Sequence, residues 1–167
     1  LSEDARVMLF EVAGDSLVRV PCFADFDKAA KLDEERSMII RPAVLLKEAT
    51  RYVVALRGLK RKDGSDVPPS DAFIALRDGL AEGTPVAGRA ARFEEDFGLL
   101  KDAGVPREDL VLSWDWVTAS GKTLHGPLLH MRDEAFAKLG DASPVFAVTT
   151  IETYTEAENP DIAYEVL

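Results

Sequence analysis

The stretch Thr50–Leu59, TRYVVALRGL, predicts the clearest strand of this 167-residue chain. β-Branched and aromatic residues dominate it, and these residue types favour extended backbone. Two alternating rows of side chains run along it: Tyr52, Val54 and Leu56 on one side, and Val53, Ala55 and Arg57 on the other. The turn residues Lys62-Asp63-Gly64 and the extended connection 67–70 follow it, so we expect the strand to end there.

Four further stretches predict antiparallel strands around this one. Residues 6–23 predict a β-hairpin that turns at Ala13-Gly14-Asp15. Ser37–Arg41 predicts a strand, and the β-branched, alternating stretch Val145–Tyr154 predicts a late one. Leu110–Thr118 predicts a strand as well. Its expected core face carries Leu110, Leu112, Trp114, Trp116 and Thr118.

A helical segment interrupts the strands in the middle of the chain. A short helix begins at a cap, either Ser70 or Asp71. A longer helix at about 85–103 begins at Thr84-Pro85 and ends at Gly104. Its expected core-facing stripe is Ala90, Phe93, Phe97 and Leu100.

A last helix is predicted at about 125–139, and Gly140 stops it. Its expected buried stripe is Leu128, Met131, Ala135 and Leu139. Alternating βαβα units do not occur, so a doubly wound sheet is not expected. The pattern therefore predicts an α+β protein that is mainly β with a helical insertion.

Charge and composition exclude several functional classes. Thirty acidic and 20 basic residues give a net charge of −10 at pH 7. Nucleic-acid and anionic-membrane binding need the opposite sign, so neither is expected. No apolar run approaches the ~18 residues that cross a bilayer, so no transmembrane segment is expected. The single cysteine, Cys22, excludes an internal disulfide and a cysteine-based zinc site.

The block Gly14-Asp15-Ser16-Leu17 spells the nucleophile motif of the GDSL esterases. A serine nucleophile needs a histidine to activate it and a carboxylate to orient that histidine. Three residues before His125 and His130 stand Lys122 and Pro127, so the Asp-x-x-His pair of that family is missing. A hairpin turn is the favoured interpretation, and a stand-alone esterase with Ser16 as nucleophile is the least favoured hypothesis.

Two other motifs also favour structural roles. Ser120-Gly121-Lys122-Thr123 ends like a phosphate-binding loop, but Trp116 stands where that loop needs a glycine. A loop and helix cap is therefore expected. His125 and His130 are five residues apart, whereas two ligands on one helical face are three or four apart. We therefore expect no shared metal, and no cofactor site is assigned.

Three further features can each be interpreted as structural or as functional: an acidic stretch, a pair of tryptophans and the single cysteine. The carboxylates lack the spacing of a calcium loop, which favours a solvated face. Trp114 and Trp116 could stack on a sugar ring, but the leucines on the same predicted face favour a core position. Cys22 is expected to be a small buried hydrophobe. The carboxylates in question are Asp25, Asp27, Asp33, Glu34 and Glu35.

Two stretches are similar to bacterial Ig-like modules. Residues 41–60 carry the Pro and Leu, the Thr-x-Tyr-x-Val and the Gly-Leu-Lys strand end of that pattern, and Asp63-Gly64 and 68–73 continue it. Trp116-Val117-Thr118 resembles the closing strand of the module. Over about residues 5–166 the chain resembles the N-terminal region of large secreted bacterial lipase- or esterase-like proteins of the virulence-factor lipase type, in which an Ig-like region precedes an α/β-hydrolase domain.

The resemblance implies an Ig-like antiparallel β-sandwich over residues 1–120, with the helical insertion at about 71–108. Residues 121–167 would then form a connecting helix and the first strands leading into a hydrolase-like domain. A mixed α+β sheet with helices on one side is the alternative fold. Because the apolar stretch Ile162–Leu167 is only beginning where the sequence stops, we expect the chain to be part of a longer polypeptide.

The resemblance carries no catalytic residue onto this chain, because the Gly-x-Ser-x-Gly elbow of that family does not occur here. Any serine carboxylic-ester hydrolase chemistry of the parent chain would lie beyond Leu167. The implied function is a non-catalytic portion of a secreted or envelope-associated hydrolase that positions or covers the catalytic domain. An extracellular or cell-envelope location is implied with it, and the downstream domain is the implied partner. The alternative is a protein-interaction or structural subunit of a larger assembly without enzymatic activity.

Overall fold

The computed structural model describes residues 2, 4–32, 35–152 and 154–155. They form an α+β arrangement with two antiparallel sheets and three α-helices. In chain order the elements are β1 (Val7–Ala13), β2 (Ser16–Val20), β3 (Cys22–Phe26), β4 (Met38–Pro42), β5 (Arg51–Arg57), α1 (Asp71–Arg77), α2 (Ala90–Asp102), β6 (Leu110–Val117) and α3 (Gly121–Leu139). The chain divides into two units, Leu1–His125 and Gly126–Leu167, and the strands lie in the first.

The larger sheet has four strands in the order β2-β1-β5-β6, and the smaller one pairs β3 with β4. β1 and β2 form the predicted hairpin, and Gly14 at its turn has φ +62°, a left-handed conformation that glycine adopts without strain. The second arm is shorter than predicted. Pro21, which has no N–H to donate to a ladder, separates β2 from β3, so the chain leaves the larger sheet there. The strands predicted at Ser37–Arg41 and Thr50–Leu59 are confirmed as β4 and β5.

One face of the four-stranded sheet packs against α1 and α2. Phe93, Phe97 and Leu100 of α2 are buried there, so the predicted stripe of this helix is confirmed. Phe73 of α1 meets the Phe93 and Phe97 rings edge-on, with centroids 6.2 and 6.1 Å away. Burying each ring contributes about 1.5–3 kcal/mol. The phenylalanine cluster therefore holds both helices onto the sheet. Met8 of β1 belongs to the same buried cluster.

The predicted start of α1 agrees with the structure, whereas that of α2 does not. Ser70 caps α1 as predicted. The second helix begins at Ala90 rather than at about 85. The Thr84 hydroxyl donates to the carbonyl of Ala81 at 2.6 Å instead of capping the helix, and a 3₁₀ turn at Ala87–Arg89 precedes the first α-helical residue. The start predicted from Thr84-Pro85 is therefore wrong by about one turn.

β6 does not present the single face that its alternation predicts. The register against β5 shifts by one residue between Leu110 and Leu112. Such a bulge reverses the in–out alternation on one side of it. Leu110 is buried against the helices, whereas Trp114 and Trp116 pack on the opposite face of the sheet. The prediction that these three residues share a face is wrong.

In the second unit, the described residues comprise most of α3 and then irregular backbone up to residue 155. The helix begins at Gly121 rather than at about 125 and ends before Gly140, as predicted. The predicted stripe is not buried: Leu128 and Met131 are 67% and 65% exposed. An amphipathic pattern records a preference for burial, and that preference is met only where another apolar surface covers it.

The strand predicted at Val145–Tyr154 is wrong for the residues described there, which form no regular structure. A strand needs a neighbour to take up its backbone N–H and C=O groups, and β-branched composition does not supply one. The apolar stretch Ile162–Leu167, which is expected to belong to the strands leading into a following domain, lies outside the described residues. None of the helices that the structure describes combines the length and the apolar character that crossing a membrane requires.

Candidate functional site

The second face of the four-stranded sheet carries its own apolar cluster, which the smaller sheet covers in part. Cys22, Met38 and Ile40 of β3 and β4 pack against it. A two-stranded sheet is narrower than a four-stranded one by roughly 10 Å, at about 4.8 Å per strand. Part of this face is therefore left open. The buried members of the cluster are Leu9, Val20, Tyr52, Val54 and Leu56.

The open part forms a cleft of about 380 Å³, which we call the tryptophan cleft. It is lined by Leu9, Met38, Ile40, Pro42, Leu46, Val54, Trp114 and Trp116. The described lining contains no charged side chain. Both indole rings are half-buried, so they belong neither wholly to the core nor wholly to the surface.

Trp116 is held in place from within the sheet. Its ring stacks on that of Tyr52, with 5.7 Å between centroids and 28° between planes. The Tyr52 hydroxyl in turn accepts a hydrogen bond from the backbone N–H of Lys47 at 2.9 Å. An aromatic pair of this kind contributes about 0.5–1.5 kcal/mol beyond the burial of its surface. The cleft therefore has a fixed aromatic wall.

The loop between β4 and β5 forms the opposite rim. Thr118 Oγ1 donates to the Lys47 carbonyl at 2.6 Å and accepts from the Thr50 N–H at 3.0 Å. These bonds hold the loop against the end of β6. Leu46 consequently lines the cleft, while Leu45 beside it is 99% exposed. An isobutyl group with that exposure gains nothing from the fold of this chain, so it is available to a partner.

The other face of β6 carries an ion-pair cluster. Asp115, between the two tryptophans in sequence, accepts from Arg51 Nε at 2.9 Å and pairs with Arg92 Nη2 at 2.6 Å. Asp96 of α2 is fully buried, and its Oδ1 lies 2.5 Å from Arg51 Nη2. Glu95 Oε1 lies 2.7 Å from Arg51 Nη1. Three carboxylates thus share two guanidinium groups.

This charge balance explains the titration of Asp96. Burial first, and then the neighbouring charge of Asp115, raise the pKa of Asp96 to about 6, although Arg51 opposes the shift. A carboxyl group with a raised pKa is a catalytic candidate only where a substrate can reach it. Asp96 is 0% exposed, so a substrate does not reach its carboxyl group, and its ion pair with Arg51 joins α2 to the sheet.

The motifs singled out in the sequence have structural contacts. Ser16 Oγ donates to the Ala13 carbonyl at 3.0 Å, so the hairpin-turn interpretation is confirmed. Ser120 Oγ accepts from the Thr123 N–H at 3.1 Å, so the helix-cap interpretation is confirmed as well. His125 and His130 lie exposed on α3. Within the described ranges, no group of three or more His, Cys, Asp or Glu side chains is arranged to hold a metal ion.

The acidic stretch also engages its own backbone. Asp25 Oδ1 accepts from the Phe26 N–H and Asp27 Oδ1 from the Ala29 N–H, both at 2.8 Å. Asp33 and Glu34 lie outside the described residues. Cys22 is half-buried rather than fully buried, because its strand belongs to the narrower sheet.

The tryptophan cleft itself was not predicted from the sequence. Trp114 and Trp116 were considered as a pair, but the opposite wall comes from β4 and from Leu46, which are far away along the chain. The only sequence signal was the short strand 37–41, whose apolar side chains had no assigned partner. The residues described in its lining offer apolar and aromatic surface for binding, and none of them is a nucleophile, an acid or a base.

No protein family, no characterised protein and no solved structure matches this chain at a significant level.

Proposed function

We propose that this chain is the non-catalytic N-terminal portion of a secreted or envelope-associated lipase- or esterase-type hydrolase, where it positions or covers the catalytic domain. The resemblance of about residues 5–166 to such regions motivates the proposal, together with the Ig-like pattern of residues 41–60. The observation that carries it is the tryptophan cleft, because its rigid apolar wall suits binding while its lining lacks the groups that acyl transfer needs.

An Ig-like sandwich is the finer architecture in this proposal. Two antiparallel sheets enclose an apolar cluster, which is the arrangement of a β-sandwich. α1 and α2 come between β5 and β6 in the chain and pack on the outer face of the larger sheet, as an insertion would. The two-stranded second sheet is small for such a sandwich.

The rim of the tryptophan cleft also supports a role in contact with another protein surface. Val44, Leu45 and Leu46 are successive apolar residues, and the first two are exposed. Apolar surface of this kind beside an open cleft is typical of an interface. In this proposal, the catalytic domain of the same polypeptide covers it. The alternative partner is another subunit of an assembly without enzymatic activity.

Two measurements test the proposal. The first is the intact mass of the source protein with peptide mapping past Leu167. Peptides that continue into a hydrolase-like sequence support the proposal, whereas a mass of 18.3 kDa contradicts the hydrolase and leaves the subunit. The second is hydrolysis of short acyl esters by the chain 1–167 alone, where we expect none. Activity that Ser16→Ala abolishes would overturn the non-catalytic role.

A further inference from the structure

A second cavity, of about 580 Å³, lies on the helical face of the larger sheet at the C-terminal end of α2. One part of its lining is apolar, with Met8, Phe10 and Val105. The other part is charged, with Arg19 and Arg57 together with Asp4. A cavity that combines an apolar wall with guanidinium groups can hold a molecule that has both an apolar and an anionic part.

Among the residues that line this cavity, Arg19 has a side chain whose hydrogen-bond donors are not all paired within the described residues. Its guanidinium carbon lies 5.0 Å from the centroid of the Phe10 ring, which fixes the side chain over the sheet. The hydrogen bond that its side chain makes to a described residue, from Nη2 to the Val7 carbonyl, is long at 3.4 Å. Within the described residues, its buried Nε has no hydrogen-bond partner and its guanidinium no ion pair. A buried charged donor without a partner is uncommon and needs an explanation.

The end of α2 does not supply the missing partner. Carbonyl groups at a helix C-terminus attract arginine side chains. Here the Leu100 carbonyl accepts from the Val105 N–H at 2.8 Å, and the Lys101 carbonyl accepts from the Gly104 N–H at 3.0 Å. Burial lowers the pKa of Arg19, Cys22 opposes this shift in part, and the charge of Arg57 adds to it. An anion in the cavity would relieve both effects.

We propose that this cavity binds the carboxylate of a small amphiphilic acid, with the carboxylate on Arg19 and the apolar body against Met8, Phe10 and Val105. The terminal nitrogens Nη1 and Nη2 of the Arg19 guanidinium would donate two parallel hydrogen bonds to the carboxylate. The charge of the anion would offset the burial of Nε, which solvent does not reach. Asp4 in the lining repels negative charge, so a monoanion is favoured over a doubly charged phosphate. All residues that line the cavity belong to this chain, so the proposed site does not depend on the proposed function.

The test is calorimetric titration of the chain with three probes, octanoate, octanamide and acetate, up to about 10 mM, beyond which an affinity is too weak to count as a site. Octanoate should bind measurably better than octanamide, which lacks the charge, and better than acetate, which lacks the apolar body. Equal binding of octanamide would overturn the carboxylate assignment. Acetate binding as tightly as octanoate would overturn the apolar part, and failure of octanoate to bind would overturn the site.

Variants locate the site. Arg19→Met should weaken octanoate binding at least about tenfold, because charge-assisted hydrogen bonds are lost. Arg41→Met, the same change at an exposed position on β4, should leave the affinity unchanged. Asp4→Asn should strengthen binding roughly twofold to fivefold by removing a repelling charge. This last variant changes an exposed residue and keeps the test decisive if Arg19→Met does not fold. Unchanged affinity in both Arg19→Met and Asp4→Asn would place octanoate elsewhere and overturn the proposal.

Discussion

Asp96 of α2 and Arg51 of β5 form a buried ion pair, with 2.5 Å between Oδ1 and Nη2, and it joins the helical layer to the sheet. The two members are not equivalent. Arg51 also contacts Glu95 and Asp115, so it keeps two carboxylate partners if Asp96 is changed. Asp96 has no comparable reserve, because its Oδ2 lacks a hydrogen-bond partner among the residues described.

This asymmetry predicts that Arg51→Met destabilises the protein far more than Asp96→Asn. Removing Arg51 leaves three carboxylates close together, one of them buried, and we expect a loss of about 3–5 kcal/mol in the free energy of unfolding. Asp96→Asn leaves two carboxylates against two guanidiniums, and we expect a loss of about 1 kcal/mol. Urea denaturation of the two variants measures the difference. Arg132→Met, at an exposed ion pair on α3, is the control and should change stability by less than about 0.5 kcal/mol. Equal losses at Arg51 and Asp96 would contradict the unequal sharing of charge.

The raised pKa of Asp96 predicts a pH dependence of opposite sign to that of most carboxylates. The folded protein holds the Asp96 proton up to about pH 6, whereas the unfolded chain releases it near the ordinary value of 3.8. Between these values the folded state binds more protons, so the contribution of Asp96 to stability is present below 3.8 and is lost as the pH rises through 6. Over this window it amounts to at most about 3 kcal/mol.

Other carboxylates in the chain act in the opposite direction. Hydrogen bonds from Arg107 lower the pKa of Glu94, and hydrogen bonds from Arg51 lower the pKa of Glu95, so their contributions are lost as the pH falls. The measurement is therefore a difference between the natural chain and Asp96→Asn, taken from urea midpoints at about pH 7 and about pH 4.5. The natural chain should gain stability relative to the variant at the lower pH. A difference that does not change with pH would show that Asp96 is ionised throughout.

The hairpin turn predicts a purely conformational effect. Gly14 has φ +62°, and a Cβ built there meets nothing within 4 Å, so space is not the constraint. An L-residue in this conformation costs about 1 kcal/mol. Gly14→Ala should therefore destabilise the chain by about that amount, while Gly14→Asn, which tolerates this conformation better, should lose less. Thermal denaturation of both variants measures this, and a larger loss for Asn would refute the conformational explanation.

Local signals of this kind were the ones that sequence reasoning used correctly. The β-branched run of β5, the glycine of the β1–β2 turn and the phenylalanine stripe of α2 each act within one element or one turn. The bulge in β6 is different, because it depends on how Leu110 and Leu112 pair with a strand distant along the chain. The sequence of β6 alone does not show that pairing. The one extra residue at the bulge places Leu110 on the face opposite to the one predicted.

The same distinction explains why the candidate site was missed. The tryptophan cleft joins β4 and Leu46 to β6, and the helical segment separates β6 from the other two in sequence. The cleft is open because the two-stranded sheet is narrower than the four-stranded one. The width of a sheet depends on which strands pair, and the sequence of one strand does not show this. Val145–Tyr154 shows the reverse error, since β-branched alternation predicted a strand where none of the described residues has a pairing partner.

The stacking of Trp116 on Tyr52 predicts that the cleft wall is also a stabilising element. Trp116→Ala removes a half-buried indole and its aromatic partner contact, so we expect a loss of about 2–3 kcal/mol in the free energy of unfolding. Trp116→Phe retains an aromatic ring and should recover at least half of it. Chemical denaturation of the two variants decides this. An Ala variant as stable as the natural chain would mean that the ring is exposed surface rather than a fixed wall.

A partner on the tryptophan cleft should be visible at Leu45, which contributes almost nothing to the isolated fold because it is 99% exposed. If the proposed catalytic domain follows this chain, hydrogen exchange at residues 43–46 of that longer protein should be slower than in the chain 1–167 alone, since a covering domain excludes water from the rim. Leu45→Asp should remove this protection while leaving the stability of the isolated chain within about 0.5 kcal/mol, because a charge cannot be buried there without a partner. Leu80→Asp is the matched control, since Leu80 is also exposed, at 66%, and does not line the cleft. Equal exchange at 43–46 in both proteins would contradict the proposal that a catalytic domain covers this face. Loss of protection in both aspartate variants would mean that the contact is not centred on the cleft.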